Sequence, residues 1–279
     1  PSLPNAYASY ALSFSQYIPK INSGLGALVT ADVSGGGLYA TYKLGVFYAY
    51  DIRFSKDFYI RAGFDAYFVN ARLAWNRLIF FDQLDLQTGA VDQNGVANPS
   101  NELFGKQSLS YFDMGAGFLF HCPYFYAGVS TKHLTVPKAS LVGSYQDGTD
   151  EIPFRLSIHL GSEFIISKRN KRGVKTFLSP NILFVKQRQF HQLNIGTNIR
   201  YGLFLGGIYF RHTFSNADAV IMMIGVRKGV FKIGYSYDLS VAGLGLSSGG
   251  AHEVSISLNF GHKKQNHQNR YNDCLEIFR

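Results

Sequence analysis

The sequence predicts an all-β fold, a transmembrane antiparallel β-barrel of about 14 strands. Three observations predict it. A two-residue period recurs along the whole chain, as in residues 234–260, where Tyr235, Tyr237 and Leu239 alternate with Ser236, Asp238 and Ser240. The apolar face is aromatic on strand after strand, drawing on 24 Phe and 18 Tyr, whereas the opposite face carries charges of both signs. Short and long connections alternate, the habit of outer-membrane barrels. A soluble sandwich is the competing reading, but it would hide its aromatic faces from the surroundings. A helical membrane protein is excluded: no apolar run approaches the roughly 18 residues a spanning helix needs, and mean hydropathy is −0.02.

The strands follow in order. Residues 8–15 and 22–33 form the first two. In 44–54, Leu44, Val46, Tyr48, Tyr50, Ile52 and Phe54 share one face, with Asp51 and Arg53 on the other. In 58–68, Phe58, Ile60, Phe64 and Phe68 oppose Arg61 and Asp65. Segments 109–120 and 123–132 follow, and then 155–164, where Leu156, Ile158, Leu160 and Phe164 oppose Arg155, His159 and Glu163. Residues 174–187, 193–200, 202–213 and 217–227 continue the series, and 230–240 and 251–261 close it. Barrel parity then asks for one more strand upstream of residue 1. The chain divides into a barrel, 1–261, and a basic C-terminal tail, 262–279.

The long connections are 77–108, 133–151 and 241–250, which places them outside the cell and the short turns in the periplasm. Charge agrees with that assignment. Loop 77–108 carries Arg77 and Lys106 against Asp82, Asp85, Asp92 and Glu102, and 133–151 carries Lys138 against Asp147, Asp150 and Glu151. The short turns carry Lys168, Arg169, Lys171, Arg172, Arg227 and Lys228, and the tail adds Lys263 and Lys264. The inward charges Arg53, Arg61, Asp65, Arg155 and Glu163 are expected to line the lumen, where opposite signs can pair across it and close it.

Several stretches are similar to a known family: "QYIPKINSGLG" (16–26), "FYIRAGFDAYFVNARLAWNRLIFFDQLD" (58–85), "YAGVSTKHLTVPKASL" (126–141), "FLSPNILFVKQRQFHQLNIG" (177–196) and "FKIGYSYDLSVAGLGLSSGGAHEVSISLNF" (231–260). In their order and extent they resemble the PorP/SprF family, outer-membrane proteins of Bacteroidota linked to type IX secretion and gliding motility. The ending "CLEIFR" departs from the proline-containing ending of many members. The resemblance implies a non-enzymatic barrel. Its partners would be periplasmic ring proteins of the secretion machine, a secreted surface adhesin, or both, in addition to the lipid bilayer.

Two regions are candidate partner surfaces. Trp75 with Leu78, Ile79, Phe80 and Phe81 is an apolar run where water is expected; it is either buried in the barrel mouth or presented to a partner. The tail, with Cys274, Leu275, Ile277 and Phe278 beside the basic residues, is either drawn to anionic headgroups or docks a periplasmic protein. Cys274 is a free thiol or pairs with Cys122. No His, Cys or acid falls at metal-ligand spacing around His133, so neither a metal nor a cofactor is expected. "SGGGL" (34–38) and "SSGGA" (247–251) are not followed by helices and read as turns rather than phosphate loops. The basic runs are short and lack interleaved aromatics, which argues against nucleic acid. A diffusion channel or hydrophobic-substrate transporter is the alternative function.

Overall fold

The structure, a computed structural model, describes residues 7–55, 57–84, 89–90, 98–101, 106–122, 124–141, 151–167, 176–214, 218–241 and 250–260. Its strands are β1 (Tyr7–Ile18), β2 (Ser23–Ser34), β3 (Tyr39–Arg53), β4 (Tyr59–Leu73), β5 (Ser108–His121), β6 (Phe125–Lys132) and β7 (Arg155–Ser162). They continue with β8 (Phe164–Ser167), β9 (Thr176–Gln187), β10 (Phe190–Tyr201), β11 (Phe204–Thr213), β12 (Ala219–Lys228), β13 (Phe231–Ser240) and β14 (Ala251–Leu258). All belong to one sheet in which each strand pairs antiparallel with its neighbour in the chain. The one departure is at β7 and β8, which lie end to end along β9 with Glu163 between them. The single strand expected over 155–164 is therefore broken there.

Other boundaries shift as well. β3 and β4 are longer than the alternation alone suggested, reaching back to Tyr39 and forward to Leu73, because those ends complete one uninterrupted ladder. Conversely β14 stops at Leu258, opposite Phe231, where β13 begins.

Two-residue hairpins at 202–203 and 229–230 open on Gly202 (φ 60) and Gly229 (φ 59), the left-handed backbone that tight hairpins demand. They share a rim with turns 19–22 and 54–58. The connections 74–107, 133–154 and 241–250 leave from the opposite rim. Tight turns at 35–38 and 188–189 share that rim too, so it is not uniformly long-looped.

Burial shows which way the sheet curls. Tyr67, Val69, Ala71, Asp113, Tyr126, Ser179, Asn181, Val185, Thr213 and Ala219 are buried. The pairing register puts all of them on the face that carries the charges. The other face is apolar and open: Leu12 is 76 % exposed, Phe64 61 % and Ile224 67 %. A single sheet with nothing packed on it buries one face only by rolling that face inward. The polar face is thus the lumen and the apolar face meets lipid, the reverse of a soluble core. Among the described residues, β1 and β14 are the sheet edges, each paired on one side. They run in the same direction, so an all-antiparallel closure needs an odd number of strands between them.

Candidate functional site: the lumen wall and its two rims

Inward side chains lie along the wall rather than projecting across the lumen. Tyr209 on β11 rests on Gly196 of β10, where an added Cβ would come within 2.2 Å of its ring. Asp65 on β4 rests on Gly115 of β5 in the same way, at 2.4 Å. Glycine at the paired position is what allows such close approach.

The lumen charges pair along the wall. Arg61 grips Asp51 on β3 through Nε (2.5 Å) and Nη2 (2.7 Å), a bidentate contact across one ladder step. Arg211 meets Asp238 at 2.6 Å, and Lys43 meets Asp32 at 3.6 Å. These pairs run between neighbouring strands, where the sequence reading had allowed pairing across the lumen. Adjacent strands bring side chains within a few ångströms of one another. Arg53 donates to the carbonyl of Ser55 and lies 5.8 Å from the Tyr59 ring centroid. One carboxylate oxygen of Asp65 is buried without a hydrogen-bond partner. Arg155 stands opposite Lys132 and Gln187 in the ladders. The Glu163 amide donates to the carbonyl of Tyr124 at the strand break.

A neutral network that the sequence did not disclose crosses the wall from β6 to β11. Tyr126 donates to Asn181 Oδ1 and lies 3.4 Å from His159 Nε2. Asn181 donates to the carbonyl of Ser179 (2.8 Å) and to Tyr209 Oη (3.3 Å), which also accepts from Asn198. Only the register shows these residues to be neighbours. A cavity of about 420 Å³ opens beside the network.

At the long-loop rim, Trp75 is buried and donates from Nε1 to the carbonyl of Lys106 (3.1 Å). Phe80 stacks on it with ring centroids 6.5 Å apart, and Leu78 is half-buried. Ile79 is 64 % exposed and Phe81 90 %. The apolar run is therefore split between an anchor and an outward pair. Arg77 secures it by donating to the carbonyl of Gly36 (3.0 Å), on the β2–β3 turn. On the same rim Asp218 accepts from the His212 ring (2.9 Å) and the Thr213 amide (3.0 Å), and the His212 contact holds its carboxyl below the usual range.

At the short-turn rim, Arg227 is half-buried on the lumen face opposite Lys232, and Lys228 is exposed on the other face. The Cys122 thiol donates to the carbonyl of Phe125 (3.3 Å). Lys168, Arg169, Lys171, Arg172, Lys263, Lys264, Cys274, Leu275, Ile277 and Phe278 lie outside the described residues.

The model of the type IX secretion system membrane protein family PorP/SprF matches residues 1–258. The chain belongs to the PorP/SprF family. No curated protein matches it. Among solved structures, the crystal structure of the Ralstonia pickettii toluene transporter TbuX is similar over 84 % of this chain and 75 % of that one, with 11 % identity and a TM-score of 0.45. That likeness is too distant to bear on function.

Proposed function

We propose that this PorP/SprF protein is a non-enzymatic outer-membrane barrel of the type IX secretion and gliding apparatus that acts through protein contacts. It binds secretion-machine components on the short-turn side, or it anchors and exports a surface adhesin. The family match over residues 1–258 carries this reading. An apolar outer face around a polar lumen supports the membrane setting. In this reading the short turns and the tail, 262–279, are periplasmic, and the long loops are extracellular. The basic residues Lys168, Arg169, Lys171, Arg172, Arg227, Lys228, Lys263 and Lys264 dock a periplasmic ring protein, with Leu275, Ile277 and Phe278 as the apolar anchor. The exposed pair Ile79 and Phe81 faces an extracellular partner.

The test is purification of the native protein from outer membranes in mild detergent, beside a variant lacking residues 271–279. Capture of secretion-system proteins by the full chain and their loss from the truncated barrel is the expected result. Recovery of the full chain alone overturns the reading. Undiminished capture by the truncated barrel removes the tail from it. Side-chain packing along the wall, which leaves a cavity in the lumen, favours a diffusion channel or transporter as the second reading. A large, stable single-channel conductance would decide for it.

A further inference from the structure

We propose that the lipid-facing surface at the long-loop ends of β3, β4 and β5 binds a phosphate group on a membrane-lipid headgroup, through Arg72. Even-numbered residues of these strands face lipid, and the ladders set them in rows. The row nearest the rim is Ala40, Arg72 and Ser108, and the next is Tyr42, Asn70 and Ser110. Below them come Leu44, Phe68 and Phe112, all exposed, with the two phenyl rings 5.3 Å apart. The three strands thus turn from polar to apolar at one level, which marks the boundary between headgroups and acyl chains. On β3 the apolar alternation continues to Phe54, ten residues beyond Leu44. At about 3.3 Å per residue and a tilt of about 40°, that is roughly 25 Å of height, the apolar band of such barrels.

Arg72 is exposed, and it is the one charged residue on the lipid face of these three strands. Its Nε donates to Asn70 Oδ1 (2.8 Å), and Asn70 Nδ2 donates to Ser110 Oγ (2.8 Å). The Tyr42 ring centroid lies 5.8 Å from the guanidinium carbon. These contacts orient the planar fork without neutralising it. Among the described residues Arg72 meets no carboxylate, and its two Nη atoms make no hydrogen bond. The hydroxyls of Tyr42 and Ser108 beside it make none either. A cation at the edge of hydrocarbon is costly unless it is paired, and a headgroup anion supplies the pairing. The fork of an arginine matches two phosphate oxygens, and a neighbouring hydroxyl can donate to a third. The site opens to lipid at headgroup depth, so the phosphate that reaches it belongs to a lipid. In the function proposed above the long-loop side faces outward, which makes the ligand a phosphorylated glycolipid of the outer leaflet. The site itself rests only on the apolar face meeting lipid, and it stands whether or not the barrel binds secretion components.

The probe is diphosphoryl lipid A, added to the full chain in a neutral detergent and counted on the barrel by native mass spectrometry, with its enzymatically dephosphorylated form as the counterpart of equal acyl content. The phosphorylated lipid is expected to bind about tenfold more tightly, as one charge-assisted hydrogen bond provides. R72Q should bring it down to the level of the dephosphorylated lipid, and R72K should bind it more tightly than R72Q. K20Q, which removes an exposed cation from the turn at the opposite rim, should leave binding unchanged. Excess inorganic phosphate, which lacks acyl chains, should not displace the lipid. Capture of secretion-system proteins by R72Q should match that of the unaltered chain, so that loss of this site and loss of the proposed function are read separately. Heat-modifiable migration confirms that each variant is assembled; if R72Q does not assemble, the two lipids on the unaltered protein and the phosphate competition decide. Equal affinity for the two lipids, undiminished binding by assembled R72Q, R72K no better than R72Q, an equal loss in K20Q, or displacement by inorganic phosphate, the mark of a free-anion site, overturns the proposal.

Discussion

The wall formed by β3, β4 and β5 and the free edge at β14 are made of similar residues and differ in what surrounds them. On β4, inward Tyr67, Val69 and Ala71 are buried to 7 %, 3 % and 5 % exposure. On β14 both faces are open, with Val254 73 % and Ile256 69 % exposed, and inward Glu253, Ser255 and Ser257 are exposed too. β4 has a partner on each side and glycines under its long side chains, whereas among the described residues β14 pairs only with β13. Burial in this fold therefore depends on neighbouring strands more than on hydrophobicity. A bare edge within hydrocarbon leaves backbone donors and acceptors unmet.

Substitutions can break or sharpen this contrast. Ile256→Arg places a cation on the lipid side of β14 and should cost about 2–4 kcal/mol if it lies near the bilayer midplane, with Ser257→Arg costing much less. Urea unfolding in lipid vesicles checks this, and equal tolerance would mean the two faces of the edge are wrongly assigned. In the wall, Gly115→Val drives a side chain into the Asp65 carboxylate and toward the Thr131 carbonyl, 2.7 Å away. It should cost about 3 kcal/mol by overpacking, read from the same unfolding curves, while Ser255→Val on the edge should be close to neutral.

Smaller effects follow from polar contacts. Asp51→Asn removes the carboxylate that Arg61 grips with two donors. With both side chains only partly exposed, the expected loss is about 2 kcal/mol, and Glu253→Gln on the edge should change stability by a few tenths. Tyr209→Phe leaves Asn181 and Asn198 each short of an acceptor, for about 1 kcal/mol. The smallest effect is at Asp218. Its lowered carboxyl pKa means that its contribution to stability is present above the ordinary aspartate value and is lost as pH falls through the depressed one. Carboxyl NMR titration should show Asp218 rising toward the ordinary range in His212→Ala.

Much of this was legible in the sequence. The alternation of Leu44 to Phe54 and of Val254 to Phe260 disclosed strands with one apolar face, and the five family-like stretches pointed to PorP/SprF. The break at Glu163 was not legible, because alternation continues through it and only pairing with β9 reveals the interruption. Nor was the Arg61–Asp51 pair, since two residues on a polar face do not disclose which one lies opposite the other. The Tyr126–Asn181–Tyr209–Asn198 network joins residues up to 83 positions apart in a neutral chemistry that carries no motif.

By itself the sequence determined the periodicity, the faces and the family, because a period of two is a local property of the backbone and a family is written in residue identities. Tertiary structure decided which face rolls inward, which charges meet, and where the lumen keeps open space. Those depend on register and curvature, and register couples residues through strand partners whose spacing along the chain carries no signal of their meeting.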